Sequence, residues 1–378
     1  MSERAARPTA SDGFAVSPGA RLFGRVCHEY PGLWARLERF ETSLIREELE
    51  AVTLESPIYV TGLARSGTTI LLELLAKLPS VTSHRYRDFP PIWTPYLWNR
   101  FLELVPTRDT RPHERPHGDG IEITPDSPEA MEEAIWMRFF PDSHDPSLSN
   151  RLDASTRNDA FADFYRRHLR KLLLVRGGRR YLAKGNYNIA RLGYLQALFP
   201  NARFVIPIRH PVSHIASLMR QHQVFSDAQR THPESRDYLR RVGHFEFGLD
   251  RVPINMGAAP DTREILDRWT AGDEVAGWAA YWVHVYGAVL DQVEQDALLR
   301  ESALIVRYED LNARPADELQ RILDHCRLEA DAPQVATMAA RLRQPSYYKS
   351  EFGDRDEQAI MRIAGPAMAR YGYATTRN

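Results

Sequence analysis

Eight consecutive residues, Gly62-Leu63-Ala64-Arg65-Ser66-Gly67-Thr68-Thr69, are well equipped to hold an anion. Glycines let a backbone turn tightly enough for successive amide N–H groups to face one negative charge. A helix starting at the end of such a loop adds its unpaired N–H groups and partial positive charge. The hydroxyls of Ser66, Thr68 and Thr69 supply further donors. The string lies close to the nucleotide-triphosphatase pattern G-x4-G-K-[ST], but Thr68 stands where lysine belongs. The cation has moved into the loop, as Arg65. A triphosphatase also wants an acid after a later strand to help hold magnesium. Here the clearest later strand runs into Arg209-His210-Pro211. Arginines in place of a lysine and a metal suit a phosphate-bearing ligand bound without magnesium.

The surrounding pattern supplies the elements such a loop needs. Pro57-Ile58-Tyr59-Val60-Thr61 is a short apolar, β-prone run ending in glycine, and reads as a buried strand. A helical pattern follows over Thr69–Leu78 and stops at Pro79, with Val81-Thr82 as a weak second strand. Further strands are expected at Arg180–Ala183, Arg203–Ile208 and Ala303–Val306. Pro207 is out of place inside one of them, since proline removes a ladder donor. Helices are expected at about Pro128–Phe140, Arg157–Val175, Ile189–Phe199 and His210–Gln223. Val275, Trp278, Trp282, Tyr286, Val289 and Val293 share one face of a long helix and read as core, not as a cofactor box. Strands alternating with helices predict a parallel sheet covered on both faces: one α/β domain with a P-loop-type three-layer fold and helical insertions. Residues 1–50 read as a helical extension with a frayed start, and 51–378 as the main domain. That domain carries an insertion at about 88–150 and a lid-like region at about 225–262.

Composition narrows the function classes. The 378 residues are 43% hydrophobic and 26% charged, the balance of a globular protein. Basic and acidic side chains number 49 and 50, which excludes a polybasic nucleic-acid binder while allowing a local basic site. Only four bases are lysines (Lys77, Lys171, Lys184 and Lys349), so a lysine inside a motif stands out. Cys27 and Cys326 are too few for a disulfide framework or a zinc cluster. No apolar run reaches membrane-spanning length and the N-terminus lacks a signal-peptide core, so a cytoplasmic protein is expected.

Four stretches together resemble the PAPS-dependent sulfotransferases, in particular the bacterial branch that is similar to tyrosylprotein sulfotransferases. They are Pro57–Thr69, Tyr181–Asn188, Arg203–Ser217 and Ile305–Leu311, within a span of about residues 55 to 315. The resemblance implies a nucleotide-binding α/β fold and transfer of a sulfuryl group from 3'-phosphoadenylyl sulfate (PAPS), without metal, to an acceptor hydroxyl or amine. It implies that Arg65, Ser66, Gly67, Thr68 and Thr69 hold the 5'-phosphosulfate, and that Arg209 and Ser217 hold the 3'-phosphate. Relatives read Arg-Asp-Pro where this chain has Arg209-His210-Pro211, which removes a carboxylate and leaves both phosphate contacts. Tyr308 matches a nucleotide-contacting position, with strand-end packing as the alternative. Lys184, in Ala183-Lys184-Gly185-Asn186, matches the lysine placed against the leaving group.

In-line sulfuryl transfer asks the protein for positioning and for stabilisation of charge on the oxygens. Arg65 and Lys184 are the candidate catalytic cations. A hydroxyl acceptor also needs a general base. Relatives supply a carboxylate soon after the second strand, where this chain reads Ser83-His84-Arg85-Tyr86-Arg87-Asp88. Asp88 is the candidate base, with His84 as the alternative because imidazole titrates nearer neutrality.

His113-Glu114-Arg115-Pro116-His117 spells the zinc-protease string H-E-x-x-H, but Pro116 forbids the helix that string requires. His113, His117 and Asp119, with Phe89, Trp93, Tyr96 and Trp98, could instead line a pocket for a sugar or another hydroxyl acceptor, continued by Glu129, Glu132 and Glu133. Ordinary packing of an irregular insertion explains them equally. The expected partner is a small-molecule, lipid or glycan acceptor; its identity and the oligomeric state stay open. A magnesium-dependent kinase and a non-catalytic nucleotide-binding protein are the alternative readings.

Overall fold

The computed structural model describes residues 14, 16, 18–105, 112–115, 121–258, 260–342 and 352–374. Seven strands occur among them: β1 (Glu55–Val60), β2 (Val81–Thr82), β3 (His113–Glu114), β4 (Glu122–Ile123), β5 (Arg180–Lys184), β6 (Arg203–Ile208) and β7 (Ala303–Arg307). Five of them form a parallel sheet in the order β2-β5-β1-β6-β7, while β3 and β4 make a separate antiparallel pair. Alternate residues of each strand feed opposite cores. Tyr59, Tyr181, Phe204 and Ile206 pack on the side of the Asp159–Arg176 and Glu274–Gln295 helices. Ile58, Val60, Leu182 and Val205 pack against the helices Thr68–Leu75 and Pro315–Cys326. Both faces are therefore apolar, as a parallel sheet between two helical layers requires. The aromatic stripe expected over 275–293 is core, with Trp278, Trp282, Tyr286 and Val289 all buried.

Because β1 lies between β5 and β6, with β7 beyond, their carboxyl ends emerge side by side. Val60 is level with Lys184 and Val205, and Ile208 with Arg307. The crevice outside those ends is where open α/β sheets bind ligands. Pro207 helps to make it. Thr61 N–H donates to the Val205 carbonyl at 3.0 Å, and the next β1–β6 bond would use the N–H that Pro207 lacks. The ladder stops there, and the chain leaves the sheet at Gly62.

Three helices precede the sheet, Pro18–Glu29, Pro31–Leu44 and Arg46–Ala51. The second turns Trp34, Glu38 and Glu41 inward. Fully buried Lys171 answers both carboxylates, its Nζ standing 2.9 Å from Glu38 Oε1 and 2.9 Å from Glu41 Oε2. The conspicuous rarity of lysine thus marks, at position 171, a structural ion pair. The frayed start expected at the N-terminus lies outside the described residues, apart from Phe14 and Val16.

One expectation needs correction. The helix expected from Pro128 begins only at Glu133 and ends at Phe139. Residues 127–129 are instead drawn alongside 84–86: Glu129 N–H bonds the His84 carbonyl at 3.0 Å, Tyr86 N–H bonds the Ser127 carbonyl at 3.1 Å, and Arg85 bridges Pro128. The region expected to be lid-like at 225–262 is half helical. The helix from Pro211 continues to Thr231, burying Phe225 and Ala228, and a second runs from Pro233 to Val242. Pro233 sets the break, because proline opens a helix readily but cannot continue one.

Candidate active site

The phosphate loop keeps its shape through three supports. Gly67 has φ +104°, and a Cβ there would come within 2.8 Å of the Tyr308 ring, so only glycine fits. Arg65 also adopts a positive φ, +70°, which is uncommon for a residue with a side chain. The Tyr286 phenol donates to the Pro207 carbonyl at 3.3 Å and accepts from Leu63 N–H at 3.2 Å, pinning the loop to the sheet. His214 Nε2 meets the Ala64 carbonyl at 2.8 Å and must carry the proton to do so. Burial, together with nearby Arg209 and Arg65, pushes the His214 pKa down to about 3, so the imidazole serves as a neutral donor. Neither supporting side chain was predicted from sequence. Tyr286 read as core, and His214 carries no local signal of the loop it touches.

A cavity of about 1240 Å³ opens over this loop. Arg65, Gly67, Thr68, Thr69, Lys184, Arg209 and Tyr308 all line it. Ser66 and Ser217 are buried behind it. Arg65 Nε donates to Ser217 Oγ at 3.2 Å, so the two groups expected at opposite phosphates of one ligand touch each other. The Arg209 guanidinium lies 5.1 Å from the centre of the Tyr308 ring. That ring therefore borders both Arg209 and Gly67. Thr68 Oγ1 lies 3.5 Å from Asn186 Oδ1, tying the loop to the turn that carries Lys184.

Lys184 Nζ stands 3.5 Å from Glu129 Oε1. The same carboxylate accepts a short hydrogen bond from the Tyr86 phenol and the Ala130 N–H at 2.6 Å, with Arg115 4.0 Å away. Burial raises the pKa of Glu129, but the charges of Lys184 and Arg115 and the Tyr86 hydrogen bond outweigh it and hold the pKa below its ordinary value. The outcome is an ionised carboxylate on the cavity wall beside a lysine.

Asp88 and His84 do not lie on that wall, and the expectation of a base at either position is corrected here. Both side chains are almost fully buried. Asp88 is engaged by Arg176 through a very short contact, by His84 Nδ1 at 3.0 Å and by Arg85 N–H at 2.9 Å. Burial alone would raise the Asp88 pKa, but His84 and Arg176 lower it far below the carboxylate range. His84 Nε2 is spent on His168 Nε2 at 3.0 Å. These groups fix the 84–88 turn, whose backbone holds Glu129 in place.

Asp88→Asn is therefore expected to cost about 3 kcal/mol of unfolding free energy, because it leaves Arg176 buried without a counter-charge. Urea denaturation would measure the loss. Turnover of the folded variant stays within about tenfold of wild type, far short of the 10²–10⁴ lost with a general base. With a depressed pKa in the folded state, the Asp88 contribution is complete above the unfolded-state value of about 3.9 and fades as pH falls below it. The variant lacks that acid sensitivity.

The aromatics expected to line an acceptor pocket pack elsewhere. Trp93 lies against Phe164, Phe89 against Tyr238, and Trp98 against Phe23 and Phe101. Tyr96 is likewise absent from the cavity lining, where Tyr86, Tyr238 and Tyr308 are the partly exposed aromatics. Glu132 and Glu133 do reach the cavity, but Glu133 is paired with Arg191 at 2.6 Å and Glu132 accepts from Tyr165 at 2.6 Å and Tyr181 at 2.7 Å. His117 and Asp119 lie outside the described residues. Among the described residues no group of three or more His, Cys, Asp or Glu could hold a metal ion, and no helix is long and apolar enough to cross a membrane.

At the carboxyl ends of the parallel sheet lie a glycine-turned loop bearing Arg65, the cations Lys184 and Arg209, and the carboxylate of Glu129 beside Lys184, an arrangement suited to an anionic ligand. Residues 57–253, more than half of the chain, match the model of the sulfotransferase family, and the chain belongs to that family. Its activity is sulfuryl transfer, class EC 2.8.2. Among solved structures it resembles sulfotransferase STF9 from Mycobacterium avium, at 17% identity and a TM-score of 0.54 over 88% of this chain and 82% of that one. Sulfotransferase STF1 from Mycobacterium tuberculosis H37Rv is similar at 18% identity over 95% and 93% of the two chains, with a TM-score of 0.44. The first of these supports the fold. No curated protein matches the sequence.

Proposed function

We propose that the enzyme takes its sulfuryl group from PAPS and delivers it to an acceptor hydroxyl, with Glu129 as general base in place of Asp88. The observation that carries this reading is the Glu129–Lys184 pair at 3.5 Å, facing the phosphate loop across one cavity. The residues present fit the donor. The backbone from Arg65 to Thr69 and the start of the Thr68–Leu75 helix offer donors to the phosphosulfate. Arg209, nearly buried and backed by Tyr308, offers a guanidinium to the 3'-phosphate. Arg65 can serve either end, since it already reaches Ser217.

In the proposed step the acceptor oxygen bonds to sulfur as the sulfur–oxygen bond to the 5'-phosphate breaks. Glu129 takes the acceptor proton. Lys184 neutralises the oxygen that leaves with 3',5'-ADP, and Arg65 supports charge on the sulfuryl group. The acceptor is a small molecule, a lipid or a glycan whose body lies toward Tyr238, on the same cavity. Both cysteines are buried and unpaired, which fits a reducing compartment and supports a cytoplasmic enzyme.

Isothermal titration with 3',5'-ADP, 5'-ADP and Mg-ATP, each with and without EDTA, tests the donor. Tight, EDTA-insensitive binding that requires the 3'-phosphate is expected, whereas preference for Mg-ATP would favour a kinase. Arg209→Ala should weaken 3',5'-ADP binding by roughly tenfold or more, as loss of a charge-assisted contact does. Turnover at saturating donor should change little. Unaltered affinity would remove Arg209 from the 3'-phosphate site.

A further inference from the structure

Arg115 belongs to the segment that spells the zinc-protease string, and its position gives that segment a different purpose. It follows β3 on the short hairpin with β4, and its side chain is driven inward to 5% exposure. Arg115 N–H bonds the Ile121 carbonyl at 3.0 Å, which fixes its place in the hairpin. Nη1 reaches to 3.4 Å from Thr69 Oγ1, in the first turn of the helix that follows the phosphate loop. The same nitrogen stands 4.0 Å from Glu129 Oε2, the oxygen that also accepts from the Tyr86 phenol. One guanidinium thus spans the gap between the donor-side loop and the proposed acceptor-side base.

A sulfuryl group in flight must occupy that gap. Its donor oxygen lies on the loop side and its acceptor oxygen on the Glu129 side, with three further oxygens around the sulfur. Those three share the negative charge of the transition state. A planar guanidinium presenting several N–H groups from the side suits them better than a single ammonium would. We propose that Arg115 is a catalytic residue that binds the sulfuryl oxygens during transfer, so that the hairpin supplies a cation to the reaction. This inference rests on the PAPS reading above.

The test compares binding of PAPS with binding of 3',5'-ADP, which differ by the sulfuryl group alone and need no acceptor. Wild-type enzyme is expected to bind both. Arg115→Ala should weaken PAPS by roughly tenfold or more, while 3',5'-ADP stays within threefold of wild type. Single-turnover conversion of labelled PAPS, to p-nitrophenyl sulfate with p-nitrophenol as acceptor or to free sulfate with water, should slow by about a hundredfold, with partial recovery on adding guanidinium. Arg115→Lys, which keeps the charge and guards against a folding defect, should retain PAPS affinity and lose rate.

Equal weakening of PAPS and 3',5'-ADP in both variants, without guanidinium rescue, would make Arg115 a structural residue and overturn the proposal. So would rates within fivefold of wild type. Failure of the wild-type enzyme to bind either nucleotide is a different result: it overturns the donor reading, and the role of Arg115 with it.

Discussion

Glu129→Gln is expected to slow sulfuryl transfer at saturating substrates by about a hundredfold or more, the loss typical of a removed general base. The substitution keeps the shape and one acceptor oxygen but removes the negative charge beside Lys184 and Arg115, so some stability is lost, while the folded variant should keep 3',5'-ADP affinity close to wild type. It also changes the pH profile in a defined direction. The Glu129 pKa is lowered by Lys184 and Arg115 against the effect of burial. Wild-type kcat/KM should therefore stay level on acidification until below the ordinary glutamate value of about 4.3, then fall as the carboxylate takes up its proton. The variant should lack that limb. Labelled transfer to p-nitrophenol measures both, and a rate within fivefold of wild type near neutrality would place the base elsewhere.

Arg65 should be nearly as consequential. Its removal takes the only arginine out of the phosphate loop, and turnover is expected to drop by about a hundredfold or more. Two variants separate chemistry from backbone strain. Arg65→Ala keeps a Cβ at φ +70°, whereas Arg65→Gly relieves that conformation, which costs a side-chain-bearing residue about 1–2 kcal/mol. The glycine variant should melt higher than the alanine variant while being equally slow. If the glycine variant recovers activity along with stability, the arginine acts through loop geometry and not through its charge.

How much of this was readable in advance follows from how locally each feature is encoded. The phosphate loop and Arg209 sit directly after a strand with a continuous apolar run and Lys184 ends another, so pattern and chemistry coincide within a dozen residues. The sheet was legible for the same reason, down to the two-residue β2. Asp88 misled because a carboxylate after a strand looks available until its partners are known, and Arg176 and His168 come from a helix some 80 residues further on. Glu129 was read as part of an acceptor pocket carried on a helix, not as a base. That helix fails to start on time because the His84 carbonyl and the bridge at Arg85 claim the backbone first. Arg115 was hidden inside a string that matched something else.

Pro207 shows how the scaffold gives up strength where the enzyme needs shape. Any other residue there would carry an N–H able to extend the β1–β6 ladder, and the sheet would zip one step further, into the segment that now wraps the anion. The Tyr286 phenol, inserted between the Pro207 carbonyl and the Leu63 amide, bridges the two chains at the open seam. A sequence optimised for stability alone would close that seam. The open seam is where the architecture ceases to be a sheet and becomes a receptor for charge.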